Sequence, residues 1–430
     1  KQLSKKDLLF VGLMLFSLFF GAGNLIFPPF LGQSAGNKVW IAMVAFLITA
    51  VGFPILGVIA VAKSGGLENL ARRVNPVFAT IFTVLIYLSI GPCLGIPRAG
   101  SLPFEMAVAP YLPESMSVVG ARFIFTCAFF SVAYWLSLSP TKLVDRMGKI
   151  LTPTLLTMIF VIVIASLFRP IGEYGSAVAE YAESPFVKGF LEGYLTMDTI
   201  AALNFGIVIA LAIKSKGVED EKTVVRTSIK AGLIAGGLLV VIYVLLAHLG
   251  ASSGGRFGMT ENGALLAVIF TLACLTTSVG LITSCSQYFS TLVPKMTYKN
   301  WVRILSLSSM ILANMGLNMI LSISIPVLDM IYPIAIMLIV LAMFDKLFKG
   351  NRYVYGLTML FTGVVSIIYA LDSLGFKLNF VTQLLNKLPF YGQGLGWIVP
   401  ALVGIIAGYI VGLVKQEQIN EDLSIELPGE

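Results

Sequence analysis

The chain has 430 residues, of which 57% are hydrophobic and only 12% charged, with a formal net charge of +7 and a mean hydropathy of +0.91. Soluble domains carry roughly 25% charged residues, so a water-soluble globule is excluded. The basic residues fall between apolar runs and form no stripe, which excludes a nucleic-acid footprint. The single His248 excludes a histidine metal cluster, and four cysteines without a CxxC pair argue against disulfides and thiolate metal sites.

At about 20 apolar residues per crossing, the runs predict an all-α membrane protein of twelve transmembrane helices. In chain order they cover 8–32, 38–62, 76–97, 119–139, 149–169, 187–213, 225–249, 264–290, 302–321, 323–345, 353–372 and 393–414. Lys1-Gln2-Leu3-Ser4-Lys5-Lys6-Asp7 leads into the first run without a small-residue cleavage site, so a retained first helix is expected. The termini and the loops after the even-numbered crossings hold 21 of the 29 Lys and Arg, including Arg72, Arg73, Lys142, Arg146 and Lys299. The other side holds Lys38, Arg98, Arg122, Arg169, Lys188, Arg256, Lys377 and Lys387. By the positive-inside rule both termini are expected to be cytoplasmic, with an even helix count. Residues 1–414 then form one polytopic domain. The outer loops near 98–118, 170–186 and 373–392 are short enough to be lids, and 415–430 is a cytoplasmic tail expected to be disordered from Glu417 on.

The first crossing is interrupted. Phe16-Ser17-Leu18-Phe19-Phe20-Gly21-Ala22-Gly23-Asn24 puts helix-weakening residues at mid-membrane, and Pro28-Pro29 follow. Backbone released from helical bonding is tolerated in hydrocarbon only beside a polar cavity or inside protein. Amides opening a half-helix hold anions, and carbonyls closing one hold cations. Close helix packing on small residues explains the same pattern equally well. The sixth crossing repeats the signal: Gly193-Tyr194-Leu195-Thr196-Met197-Asp198-Thr199-Ile200-Ala201-Ala202-Leu203-Asn204-Phe205-Gly206 is polar and glycine-flanked, and Asp198 is an acid within a span. Breaks five crossings apart point to two five-helix repeats, about 8–169 and 187–345, with extra helices over 353–414. The eighth crossing carries Thr271, Thr276, Thr277, Ser278, Thr283, Ser284 and Ser286. Such hydroxyls either ligate a hard cation or bond back to their own helix. Asp329, between Pro326 and Pro333, is a candidate outer gate with Arg98 as its basic partner, or else one half of a simple interhelical pair.

Lys6-Asp7 through Pro28-Pro29, Gly91-Pro92-Cys93-Leu94-Gly95-Ile96-Pro97-Arg98 and Asp198-Thr199-Ile200-Ala201-Ala202-Leu203 resemble the branched-chain amino acid:cation symporter family, over essentially the whole chain. That family is similar to the amino acid–polyamine–cation superfamily. The resemblance implies the LeuT-type fold, two inverted repeats of five helices plus two C-terminal helices, in a bacterial plasma membrane. It implies uptake of leucine, isoleucine and valine by sodium symport, and no cofactor beyond the coupling ion. The amides of Ala22, Gly23 and Asn24 are then expected to hold the substrate carboxylate, and carbonyls around Thr199, Ile200 and Ala202 its ammonium. Phe205 with Tyr87, Ile90 and Gly91 would line the side-chain pocket. Thr276, Thr277 and the carbonyls of Ala273, Ser17 and Phe20 would bind Na⁺. The seventh crossing has no Asn for a second sodium site, and the fifth no deep Lys to replace sodium, so one Na⁺ is expected. Proton coupling through Asp198 is the alternative. A channel would show a repeated pore motif, and an enzyme a nucleophile–base set; neither pattern is legible.

Overall fold

The computed structural model describes residues 3–168, 172–252, 263–376 and 379–425. The loop cations Lys1, Arg169, Arg256 and Lys377 lie outside them. Among the described residues all regular structure is helical. The chain begins α1 (Lys5–Phe19), α2 (Ala22–Ala35), α3 (Val39–Leu47), α4 (Phe53–Ser64), α5 (Leu67–Ala71), α6 (Pro76–Leu88) and α7 (Gly95–Ala107). It continues with α8 (Val118–Ser137), α9 (Thr152–Phe168), α10 (Glu180–Glu183), α11 (Pro185–Glu192), α12 (Asp198–Lys214), α13 (Glu221–Ser252) and α14 (Gly263–Leu292). The rest is α15 (Tyr298–Ala313), α16 (Leu317–Met343), α17 (Asp345–Phe348), α18 (Arg352–Ser373), α19 (Asn379–Leu385) and α20 (Ile398–Ile425). Polar side chains cap several starts, as helices with four orphan amides require. Ser4 accepts from the Asp7 amide, Ser117 from Gly120, Thr297 from Asn300 and Asn351 from Tyr353.

Taken together with the short helical turns that join some of them, these helices make ten stretches among the described residues that are long and apolar enough to cross a membrane. The expected twelve is reached only by adding two short ones: α1, with 15 residues, and α15, with 16. At 1.5 Å per residue such helices span about 22–24 Å, less than the roughly 30 Å hydrocarbon core. For α1 the shortness is the break itself, because α2 resumes two residues later.

Four boundaries differ from the sequence reading. The third crossing does not end at 97: after a kink at Gly91 (φ −83, ψ −121) it continues as α7, so the expected outer loop at 98–118 is helical as far as Ala107. Pro92 supplies no amide at the kink, and Pro97 falls in the first turn of α7, where no partner is needed. The break in the sixth crossing occupies Gly193–Met197, ahead of Asp198. The tenth crossing starts at Leu317, after a turn through Gly316 at φ +89. The last helix runs on to Ile425 where a disordered tail was expected, since Gln416 to Leu423 contains several good helix formers; residues 426–430 lie outside the described set.

The chain divides into two compact units. The first, Lys1–Gly66 with Leu85–Ile325, holds both broken crossings. Glycines bring its helices into backbone contact, the packing expected where helices gain nothing from water exclusion. Gly32 of α2 sits against the Ala247 backbone of α13, and Gly250 of α13 against the Pro29 backbone of α2. Gly189 of α11 does the same at Ala42 of α3. The second unit, Leu67–Val84 with Pro326–Glu430, is organised on α18 and α20, where Gly404 and Gly408 meet the backbones of Leu357–Thr358 and Tyr353–Val354. Within it Arg73 pairs with Asp345 at 3.1 Å, and Tyr355 donates to Asp345 Oδ1 at 2.8 Å.

Candidate functional site

Helix α1 stops because Phe20 leaves helical geometry (φ −73, ψ 81) and Gly21 is extended (φ −112, ψ −156). The Gly21 amide donates to Phe19 O at 2.8 Å and to Asn24 Oδ1 at 3.0 Å, so the first turn of α2 caps the break from within. Close neighbours require the small residues here. A Cβ on Gly21 would lie 2.7 Å from Thr277 Oγ1 of α14, and one on Gly23 would lie 2.8 Å from Arg98 Nη2 and 3.0 Å from Leu195 O.

The second break is longer. After α11 the chain makes a tight turn over Gly193–Thr196, then Met197 takes the left-handed conformation (φ 66, ψ 9), and α12 starts at Asp198. Non-glycine residues reach that conformation at a cost of about 1–2 kcal/mol, so the surroundings must enforce it. Thr196 helps by donating to Gly193 O at 2.9 Å and accepting from the Asp198 amide at 3.4 Å.

The two breaks face one another across a buried hydrogen-bonded triangle. Asn24 Nδ2 donates to Asp198 Oδ2 at 2.6 Å and to the Tyr243 hydroxyl of α13, which itself donates to Asp198 Oδ2 at 2.8 Å. Arg98, 5% exposed, gives an N–H to Leu195 O at 2.8 Å and lies over the Phe27 ring, 5.9 Å from its centroid. A pocket opens among these groups. Its lining combines Gly21, Gly23, Asn24, Arg98, Thr196, Asp198 and Thr277 with the apolar Leu18, Phe19, Ile90, Ala99, Ala201 and Leu281. Its free volume of about 30 Å³ accommodates about two waters, so the walls must part to admit an organic solute.

The residues singled out from sequence scatter around this pocket. Ala22, Gly23 and Asn24 are the first three residues of α2, with amides at its open end. Ser17 lies in the last turn of α1 and Phe20 at the break. Thr277 lines the pocket, and among the described residues its buried hydroxyl has no hydrogen-bond partner. Thr276 is turned back on its own helix, donating to Ala273 O at 2.9 Å. Ile90 lines the pocket; Gly91 marks the kink, where a Cβ would lie 2.7 Å from Cys285 Sγ. Tyr87 stands outside the lining, stacked on Tyr288 at 4.0 Å and donating to Asn204 O at 3.4 Å. Thr199, Ile200 and Ala202 fall inside α12. Their carbonyls therefore serve the helix ladder; upstream, Tyr194 O accepts from the Met197 amide and Met197 O from the Ala201 amide, while Leu195 O accepts from Arg98. The Thr199 hydroxyl donates to Thr49 O at 3.0 Å. Phe205 packs edge-on against Phe19, 5.5 Å between centroids. Asp198 is central to the triangle. Arg98 lies in the pocket of the first unit, while Asp329 is half-buried in α16 and belongs to the second.

Tyr243 was not legible. A lone tyrosine in an apolar crossing reads as packing material, and only the two polar groups waiting for its hydroxyl reveal its role. Leu195 and Met197 were missed for a similar reason, since they contribute backbone and carry no polar side chain.

Comparison with known proteins places these features in context. Residues 4–415 match the family described as branched-chain amino acid transport protein. The branched-chain amino acid permease BraB of Bacillus subtilis is 46% identical, covering 98% of this chain and 99% of the relative. The branched-chain amino acid transport system 2 carrier protein of Pseudomonas aeruginosa is 43% identical, covering 94% and 95%. Among solved structures, Mhp1, a nucleobase-cation-symport-1 family transporter, superposes with TM-score 0.54 at 14% identity, covering 95% of this chain and 93% of its own. MhsT in complex with L-phenylalanine gives 0.55 at 15% identity, covering 96% and 99%. These likenesses establish a shared transporter fold.

Proposed function

This chain belongs to the branched-chain amino acid transport protein family, and we propose that it carries leucine, isoleucine and valine into the cell by sodium symport, alternating access around the pocket between its two broken crossings. It is a transporter and not an enzyme, like the permeases and carriers it matches. We read it as one polytopic domain of a bacterial plasma membrane. Twelve crossings place both termini in the cytoplasm, and two inverted repeats of five are followed by two further helices.

One observation carries the reading: residues of both breaks line one pocket, together with polar and apolar side chains. The amides of Ala22, Gly23 and Asn24 receive the substrate carboxylate at the positive end of α2. The ammonium meets the Asp198 end and the Leu195 carbonyl. The aliphatic side chain lies against Leu18, Ile90, Ala99 and Leu281. A wall of this kind separates substrates one methylene apart by only about 1–3 kcal/mol, so the three amino acids compete with one another. One Na⁺ fits the donor set at the first break. The unpartnered Thr277 hydroxyl lies against Gly21, and with the carbonyls of Ser17 and Phe20 at the end of the first half-helix it would make an oxygen set of the kind hard cations favour. Inward movement of the ion draws on the membrane potential, about 2.3 kcal/mol per charge per 100 mV.

Proton coupling is the second reading, favoured by the burial of Asp198 between Asn24 and Tyr243. Radiolabelled leucine uptake into proteoliposomes decides between them. Replacing Na⁺ by choline abolishes uptake if sodium drives it, and leaves it responsive to a pH gradient if protons do. Thr277→Ala is expected to weaken the sodium dependence at least tenfold; full retention would remove Thr277 from the ion site. Absence of any saturable leucine uptake would overturn the transport reading itself.

A further inference from the structure

Two side chains of opposite charge, Arg98 and Asp198, line the pocket. The Arg98 guanidinium leans on the Leu195 carbonyl and the Phe27 ring. The Asp198 carboxylate takes an N–H from Asn24 and an O–H from Tyr243. They come from different helices, α7 and α12, and are 5% and 2% exposed. Burying either charge costs several kcal/mol, and an intramembrane ion is a functional site by default.

Their placement is unequal in a useful way. Arg98 Nη2 stands 2.8 Å from where a Gly23 Cβ would be, beside the amides that open α2. An anion on those amides is therefore within reach of a guanidinium too, and guanidinium grips carboxylate through two parallel hydrogen bonds. Asp198 lies at the other broken crossing, its orientation fixed by Asn24 and Tyr243, and Leu195 O adds a carbonyl beside Arg98. Charged side chains there add to the preference for charged groups that the helix ends already give.

We propose that Arg98 and Asp198 form a pair that reads the zwitterion, Arg98 binding the carboxylate of the transported amino acid and Asp198 its ammonium. The pair rests on the amino acid transport reading above and assigns its charge selectivity to two side chains in addition to backbone. Each charge then also screens the other while the pocket is empty, so both can persist in hydrocarbon until a substrate replaces that mutual screening with direct contacts.

The test uses the full chain in proteoliposomes, with two truncated leucines as competitors of leucine uptake. Isoamylamine lacks the carboxylate, and 4-methylpentanoate lacks the ammonium. Arg98→Gln is expected to narrow the preference for leucine over isoamylamine by about tenfold or more, while the preference over 4-methylpentanoate stays put. Asp198→Asn is expected to do the reverse. Arg98→Lys keeps a cation without the bidentate fork and is expected to shift the isoamylamine ratio by a smaller factor in the same direction. A purely structural role lowers uptake with both ratios unchanged in every variant, and that result overturns the proposal. It is distinguishable from failure of the transport reading, in which the unmodified protein shows no saturable leucine uptake.

Discussion

The two breaks solve one problem in different ways. The first occupies two residues, Phe20 and Gly21, and depends on the absence of side chains, because Thr277 and Arg98 press against positions 21 and 23. The second occupies five, Gly193–Met197, and depends on a methionine held in a left-handed conformation. Each is followed by a helix whose N-terminus opens at the pocket, and there the resemblance stops. Helix α12 begins with Asp198, so its positive end already has an anion, a favourable placement worth about 0.3–1 kcal/mol at exposed sites and more when buried. Helix α2 begins Ala22-Gly23-Asn24 and has no acid in its first turn. One half-helix is compensated from within, and the other is left to receive an anion from outside.

Substitutions can break or sharpen that contrast. The largest effect is expected at the compensated end. Asp198→Ala strands the Asn24 N–H and the Tyr243 O–H, at about 1–3 kcal/mol for each donor left unsatisfied. Thermal unfolding in detergent should show a marked drop, and an unchanged midpoint would mean that the triangle does not hold the fold. Gly21→Val comes next, since a branched side chain against Thr277 costs about 1–3 kcal/mol in overpacking; uptake should fall below detection while the protein still inserts. Tyr243→Phe removes one donor and leaves Asp198 with Asn24, a loss of about 1 kcal/mol, read as a modest decrease in the same unfolding midpoint. Met197→Asn should have the smallest effect. Asparagine tolerates the left-handed conformation better, by about 1–2 kcal/mol, which offsets most of the roughly 1.5–3 kcal/mol of apolar burial lost. If Met197→Asn proves more damaging than Gly21→Val, the demanding break is the second one, and the contrast is reversed.

The sequence revealed the first break to within a residue or two because glycine and asparagine announce it. It located the second only loosely, within Gly193–Gly206. Asp198 and Thr199 draw the eye as polar groups in a span, but the distortion sits just upstream, in a methionine whose backbone conformation leaves no compositional trace. Arg98 was placed outside the membrane because Pro92 and Pro97 look like the end of a crossing. A proline in the first turn of a new helix looks the same in sequence, and α7 carries Arg98 back into the protein. The hydroxyls of α14 were legible as a group, yet only the structure distinguishes Thr277, open to the pocket, from Thr276, bonded to its own helix. Tyr243 is the residue that no local pattern could have supplied, because its partners lie 219 and 45 positions away in the chain.

The glycine contacts between α2 and α13 limit how the pocket can widen. With Gly32 lodged on the Ala247 backbone and Gly250 on that of Pro29, these helices interlock like two toothed bars and cannot slide past one another. Asn24 rides on one bar and Tyr243 on the other, so their spacing is preserved through any swing that leaves the teeth engaged. Asp198 is mounted separately, on α12. Were the pocket to widen by moving α12 away from this interlocked pair, the seam would run through two hydrogen bonds to one carboxylate oxygen, and a small molecule wedged there would jam the swing without touching either end of the membrane.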